Sequence, residues 1–578
     1  MKQPQTTKII RAAKLLLPVL FLWLPVMAHA QYNFTTNADG SLNIAQYTGT
    51  NPVVIIPNTT NGLPVTSIGN IAFFDDTTLA NVTVGTNIVS IGYQAFSFSS
   101  VAAVSLPASV TTIEFDSFQT CYSLTNITVA TNNPDFSSLT GVLFDKSRDT
   151  LITFPEGKAG SYAVPNTVTD IATYAFFEAT NLTSVAISSN VSVIENYAFY
   201  DVPNLTAITV NTNNLWYSSL DNVLFDKSQD TLIAYPVGNM AASYAMPETV
   251  TNIGMEAFFS STYLNSITFD TNLAIVGDAS FEYSALAGIN LPNSVTVIGG
   301  DAFAECYDLT NIDIGAGVTN IFDQAFLGCQ SVLAVNVATN NPAFSSTNGV
   351  LFNKNQSALY LYPSGTFATS YAVPNTVTGI VDDAFNNSYY LESIILDTNL
   401  QSIGSSVFQF CYSLTSMTIP NNVTNLGYSI FWDDVNLTNV FVGTGVSSIG
   451  FDVFTLCQNL SAIYFTTNAP AMSSDVFDND NLATAYYLPG MSGWGATFDG
   501  IPTALWLPQI VSSTVRTNRF SFYVNWASDQ TVVVEACTNL LHPVWSPLQT
   551  NLLTSTSWYF SDAHSTNFHT RFYRAMSQ

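Results

Sequence analysis

One spacing constrains this sequence more than any other feature. A phenylalanine, usually preceded by a small residue, recurs as Phe73, Phe96, Phe118, Phe176, Phe199, Phe258, Phe281, Phe303, Phe326, Phe385, Phe408, Phe431, Phe454 and Phe477. Successive members lie 22 or 23 residues apart, except at three gaps of 58 or 59. A unit of about 23 residues cannot enclose its own apolar side chains, so stacked neighbours must supply the missing walls. The period predicts a solenoid.

Within one unit, as in "CYSLTSMTIPNNVTNLGYSIF", Leu414, Met417 and Ile419 form an apolar triplet spaced three and then two. Pro420 and Asn421 turn the chain, Val423 and Leu426 follow, and Phe431 closes the unit. That spacing describes a short strand with one buried face, followed by coil. Composition points the same way. Charged residues make up only 9% of the chain and apolar ones 47%, which leaves few helix-forming Glu and Lys among many Val, Ile, Thr, Phe and Tyr.

The long gaps have a common content. "GVLFDKSRDTLITFP" at 141–155 returns as "NVLFDKSQDTLIAYP" at 222–236 and "GVLFNKNQSALYLYP" at 349–363, once in each gap. "VLFD" and "LITFP" flank "KSRD", a hairpin signal, and "SYAVP" then brings the chain back to the array's strand position. Fourteen ordinary units and three enlarged ones predict about seventeen coils.

"LTNITV", "VTSIG" and "AFxxC" at this period resemble the BspA-like, treponemal-type bacterial leucine-rich repeats, over roughly residues 32–507. The entry "YNFTTNADGSLNIAQYTGTNPVVIIPNTTNGLPVTSIG" resembles the usual start of such arrays, and the enlarged units resemble a familiar variant. The resemblance implies an exported, surface-associated binding or adhesion protein and names no ligand. The expected fold is a β-rich leucine-rich-repeat solenoid with three hairpin-bearing enlarged units over 31–507, capped at about 31–65 and 482–507. After Trp506 the period ends. "RFSFYVNW", "TVVVEACTNL", "SWYFSD" and "RFYRAMS" alternate like the strands of a small β-sandwich, so 508–578 reads as a separate all-β module.

Residues 1–30 read as a cleavable signal peptide. Lys8, Arg11 and Lys14 precede the apolar run "LLLPVLFLWLPVM", and Ala28-His29-Ala30 offers a small-residue cleavage site. Pro18 and Pro25 and the run's short length argue against an anchor, and no second run of that length follows. The mature chain is therefore expected to be secreted or at the cell surface, without a membrane span. Cleavage leaves nine basic residues against 40 acidic ones, a net charge of about −31. Nucleic acid and anionic membrane surfaces are repelled by that balance.

Residues with catalytic potential are sparse. Cys121, Cys306, Cys329, Cys411 and Cys457 each follow an anchor Phe by three, so they occupy a repeat position and read as small buried residues. Only Cys306 and Cys329 lie on adjacent coils, where parallel side chains make pairing geometry poor, and Cys537 stays unassigned. His29, His542, His564 and His569 all lie outside the array, which removes histidine triads and zinc sites from it. "SDVFDNDN", with Asp475, Asp478 and Asp480, lacks the Gly and terminal Glu of a calcium loop and reads as a solvated turn. No cofactor, metal or catalytic set is expected.

Two surfaces are candidate binding sites. The residue between the last two apolar positions of each strand points outward. Asn290, Asp313, Ile395 and Thr418 occupy it mid-array, and Phe441, Tyr464 and Tyr486 make it aromatic on three consecutive coils. Such a strip marks either a contact with the protein's own C-terminal region or an external ligand. Lys146, Arg148, Lys158, Lys227 and Lys354, the only basic residues between 31 and 507, all fall in enlarged units. They are either solubilising turn tips or a basic spot for an anionic polymer. The expected function is non-enzymatic recognition or adhesion, with an extracellular protein or polysaccharide as partner. The alternatives are a surface component that self-associates and a carbohydrate-active enzyme on a repeat scaffold.

Overall fold

The computed structural model describes residues 31–480, 482–516 and 519–578; the expected signal peptide lies outside them. The chain divides into two compact units, one of residues up to 148 with 153–158, the other of 149–152 with 159–578.

In the first unit the strands Val53–Ile55, Asn81–Thr83, Ala103–Leu106 and Asn126–Val129 pair in parallel, one per coil. A second ladder on the other flank joins Leu42–Tyr47, Leu63–Ile68, Ser90–Ile91 and Thr112–Ile113. The hairpin partner Tyr32–Thr36 covers its first strand. Between the ladders the rings of Tyr47, Phe73, Phe96 and Phe118 stack at 5.1, 4.8 and 5.5 Å, close to the separation of adjacent strands. The period is thus set by ring-on-ring packing as well as by hydrogen bonds.

The second unit repeats the plan at greater length, with Phe258, Phe281, Phe303 and Phe326 stacked at 4.7, 5.2 and 5.7 Å and Phe385 to Phe477 at 5.3 to 5.5 Å. All fourteen anchors except half-buried Phe199 are buried. Leu414, Met417, Ile419, Val423 and Leu426 are all enclosed, as the unit pattern requires. Among the described residues no α-helix occurs.

Each anchor is held between two left-handed residues, two before it and two after. Asp301 (φ 52°) and Glu305 (φ 55°) flank Phe303, and Ser429 and Asp433 (φ 52° and 61°) flank Phe431. After Phe326 the corresponding residue is Gly328 (φ 70°), where the missing Cβ relieves the strain. This conformation turns backbone N–H groups along the stacking direction. Phe303 N–H donates to Ala325 O at 2.9 Å and Glu305 N–H to Leu327 O at 2.7 Å, so the turn flank is knitted coil to coil as the strands are.

The enlarged units carry more than a hairpin. Tyr217–Leu220, Val223–Asp226 and Thr231–Ala234 form a three-stranded antiparallel meander, repeated by Phe344–Thr347, Val350–Asn353 and Ala358–Leu361. The third strand rejoins the second ladder, Leu232 opposite Ile253, and its Tyr235 replaces phenylalanine in the ring stack, 5.0 Å from Phe258. Tyr362 does the same, 5.1 Å from Phe385. "SYA" then enters the first ladder as expected, Ser243–Ala245 against Ser266–Thr268.

A further coil at each end of the array raises the count from the expected seventeen to about nineteen. Val53–Ile55 precedes the first anchor and Ile501–Leu505 follows the last. Both lack an anchor phenylalanine of their own, so the aromatic period alone missed them.

Beyond the array lie two small antiparallel sheets. Gln509–Arg516, Arg519–Asn525 and Ser557–Asp562 form one, and Ser546–Leu552, Thr531–Cys537 and Phe572–Ser577 the other. Their shared core of Phe522, Val524, Trp526, Val532, Val534 and Phe560 also takes in Leu488 from the array. Arg571 and Arg574 pair with Asp562 and Glu535 at 2.7 and 2.6 Å.

Candidate functional site

The pleat aims alternate side chains out of the ladder, and register then lines them up. Thr418 lies opposite Phe441, Phe441 opposite Tyr464, Tyr464 opposite Tyr486, and Tyr486 opposite Ala504. The three rings stack at 4.7 and 5.3 Å with interplanar angles of 11° and 20°. Trp506, just past the last ladder strand, tilts across them at 47–48°, its ring 4.7 Å from Tyr464 and 6.1 Å from Phe441. It is held from behind, where Trp526 Nε1 donates to Trp506 O at 2.8 Å.

An open cleft of about 610 Å³ lies between this strip and the C-terminal sheets. Thr418, Asn421, Phe441, Tyr464 and Thr466 line the array side, and Trp506, Gln509, Asn525, Trp526, Ser528 and Thr556 the other. Among the described residues, no charged side chain borders it. Burial, and then neighbouring Tyr486, raises the Tyr464 phenol, which stays a neutral donor. The strip thus receives the ring of Trp506, from the array's own C-terminal cap, and leaves the rest of its edge facing the cleft.

The other candidate residues lie elsewhere on the outward face. Asn290 and Asp313 border a shallow hollow of about 340 Å³, where Asn336 Nδ2 donates to Asp313 Oδ1 at 2.8 Å. Ile395 is 63% exposed, one coil before Thr418. Thr418, Phe441, Tyr464 and Tyr486 are the members that come together.

Four of the five basic residues are engaged within their own enlarged units. Lys146 Nζ donates to the carbonyls of Thr131 and Asn133, Lys227 Nζ to Asn214 O, and Lys354 Nζ to Thr339 O. Arg148 reaches Ser137 Oγ and Ser138 O at 3.4 Å, and Lys158 is half-buried. Sequence reasoning missed three asparagines that anchor these units. Asn133, Asn214 and Asn341 are fully buried at the base of the three enlarged units, and each closes four backbone hydrogen bonds. Asn214 donates to Ser188 O and Val191 O at 2.9 and 2.8 Å and accepts from Trp216 and Tyr217 N–H at 2.8 Å. The recurring "TNN" before each hairpin was the available signal.

All six cysteines are free and buried. Each array thiol donates to the carbonyl of the anchor one coil back, Cys306 Sγ to Phe281 O at 3.1 Å and Cys457 Sγ to Phe431 O at 3.0 Å. Burial pushes the Cys121 and Cys306 thiols up to about 12. Asp475 and Asp478 are exposed as a solvated turn requires, but Asp480 is only 4% exposed. It follows Phe477 by three and so takes the cysteine position, where burial pushes its carboxyl up to about 8. That part of the turn reading is corrected by the repeat register.

A family profile described as BspA type leucine rich repeat region matches in six copies, over residues 53–159, 152–231, 239–355 and 363–489. Among solved structures, a leucine rich cell surface protein from Faecalibacterium prausnitzii A2-165 is 22% identical, with 80% of this chain and 94% of that one covered and a TM-score of 0.37. The pneumococcal vaccine antigen PcpA is 19% identical, covering 61% of this chain and 91% of its own, with a TM-score of 0.38. The T. pallidum leucine rich repeat protein is 16% identical, covering 67% and 89%, with a TM-score of 0.13. No curated protein matches.

Proposed function

Because the chain belongs to the BspA-type leucine-rich-repeat family, we propose that it is an exported, non-enzymatic recognition or adhesion protein, secreted or held at the bacterial cell surface. Its ligand is an extracellular protein or polysaccharide taken up on the outward face of the array. The observation that carries this reading is the cleft at Phe441, Tyr464 and Trp506, where large rings and neutral polar groups meet on a rigid ladder. Rigid aromatic anchors give contact area at low entropic cost. The acidic chain repels anionic polymers, and its hairpin lysines are bonded to their own backbone, which leaves the aromatic strip as the favoured contact.

The test is direct. The mature chain and a Phe441→Ala, Trp506→Ala double variant are screened against immobilised extracellular proteins and polysaccharides, with circular dichroism to verify folding. Saturable binding that the double variant loses supports the reading. Turnover of a polysaccharide by the purified chain, or binding indifferent to both rings, counts against it.

A second reading, association between copies, is favoured by one feature of the first unit. Val53–Ile55 is the outermost strand of its ladder and exposes Val53 and Ile55 by 61% and 72%. Open apolar edges of this kind template pairing. Sedimentation velocity of the mature chain across a hundredfold concentration range decides it, since a constant monomer excludes association.

A further inference from the structure

We propose that the cleft beside Phe441 binds a neutral, hydroxyl-rich oligosaccharide, an assignment that rests on the recognition reading above and specifies its ligand class. The first argument is charge. The chain carries a formal net charge of −27, yet among the described residues no acidic or basic side chain borders this cleft. An anionic glycan would meet an unfavourable field with no cation to offset it, and a cationic ligand would find its carboxylates elsewhere. A neutral ligand is indifferent to both.

The second argument is the disposition of the rings. In a stacked ladder most faces are covered by the next ring. Phe441 ends the stack: Tyr464 covers one side, and the other looks toward Thr418, whose side chain is too small to cover it. Trp506, tilted by about half a right angle, closes the corner. A half-buried ring at the end of its stack beside a second, angled ring matches the flat apolar C–H face of a sugar and its bent linkage to the next unit.

The third argument is hydrogen bonding. Asn421, which lines the cleft, accepts the Thr444 N–H through Oδ1 at 3.0 Å, so the hydrogen-bonding capacity it has left is the donor Nδ2. Gln509, Asn525, Ser528 and Thr556 present exposed amides and hydroxyls on the facing wall. Thr466 Oγ1 is buried at the margin with no hydrogen-bond partner. Sugar hydroxyls both donate and accept, as this set requires. An extended peptide would need a free strand edge, but Asn439–Val442 is paired on both sides. A proline-rich peptide would engage the rings and leave most of these amides and hydroxyls without partners. The volume, about 610 Å³, is that of a ligand site, whereas the hollow beside Asp383, about 160 Å³, is too small for one.

The experiment uses the full mature chain in native affinity gels cast with β-glucan, xylan or galactomannan, with polygalacturonate as anionic control and a polyproline decapeptide as competitor. At least one neutral polysaccharide is expected to retard the protein. Retardation should be unchanged between low and 0.5 M salt, a mark of uncharged contacts. Phe441→Ala should weaken it about tenfold or more. Asn525→Ala, an exposed change that spares the core, should weaken it measurably, and Gln401→Ala, exposed beside the second ladder and outside the outward face, should leave it intact. Retardation by none of the three neutral polymers overturns the assignment, as does retardation unaffected by Phe441→Ala and Asn525→Ala. Displacement by the decapeptide, or binding to polygalacturonate alone, overturns it too. In those cases the protein screen judges the broader recognition reading separately: a protein ligand lost with Phe441 would uphold recognition while the sugar assignment falls.

Discussion

The backbone N–H of Cys411 donates to Oδ1 of Asp434 at 2.7 Å, across one coil of the array, with the carboxyl fully enclosed. Asp434 follows Phe431 by three and so occupies the position that cysteine takes on the coils to either side, at Cys411 and Cys457. Burial first, and the nearby Asp433 second, raise this carboxyl well above the usual range against the pull of the Cys411 hydrogen bond.

Several acids share that fate, and they set a pH dependence. Burial pushes Asp480 and Glu256 up to about 8 and Glu282 and Asp383 up to about 7. A carboxyl whose folded value exceeds its unfolded value of about 4 binds its proton more tightly in the native state. Its contribution is complete below about pH 4 and is lost as pH rises through 7 to 8. Thermal melts should therefore show a higher Tm at pH 5 than at pH 9. Asp480→Asn should flatten the slope, which separates this effect from general charge repulsion. A Tm that climbs toward pH 9 would contradict the burial of these acids.

Removing one rung of the ring stack should be costly. Phe303 is fully buried between Phe281 and Phe326, at 5.2 and 5.7 Å. Phe303→Ala should cost about 3 to 5 kcal/mol through lost burial and the cavity left behind. Denaturant unfolding followed by tryptophan emission and by circular dichroism should report it, with probes that need not coincide in so long an array. A variant with the parent's midpoint would refute the ladder.

The enlarged units depend on their asparagines. Asn214→Ala strands two carbonyls and two N–H groups in the interior. A loss of about 2 to 4 kcal/mol is expected. Proteolysis should then begin in the 217–234 meander, and Lys227→Met, which removes one bond to Asn214 O, should have a smaller effect of the same sign.

Backbone strain offers a stabilising change. Ile71, a β-branched residue 54% exposed, is held at φ 53° before Phe73. Ile71→Gly should raise stability by about 1 kcal/mol, because left-handed backbone is costly for branched residues and free for glycine. A fall in the unfolding midpoint would show that its side-chain contacts outweigh the strain.

The junction after the array should survive loss of the aromatic strip. Leu488 in the shared core and the Trp526 to Trp506 hydrogen bond hold it independently of the rings. Changing Phe441, Tyr464 and Tyr486 together to Ser should leave the chain near residue 508 resistant to protease, whereas Leu488→Ala should expose it. Cleavage in the triple variant would assign the strip to cementing that junction.

Features that recur within one coil were legible in the sequence alone. The spacing of Leu414, Met417, Ile419, Val423, Leu426 and Phe431 states which side chains face inward, and a structure of stacked identical coils has no freedom to decide otherwise. The outward register of Thr418, Phe441, Tyr464 and Tyr486 followed from the same alternation, and the position of Asp480 followed from its distance to Phe477, although its polar surroundings suggested solvent. What the tertiary structure decided involves partners far apart in sequence or contacts of the backbone. Asn214 reads as an ordinary turn residue until Ser188 and Val191 on the preceding coil present their carbonyls to it. Asn525, Ser528 and Thr556 become walls of a cleft only because Leu488 draws the C-terminal sheets onto the array and brings them opposite Phe441. Local periodicity specifies a repeat because each coil solves the same packing problem, whereas the cleft is formed where that repetition ends and a different fold packs against it.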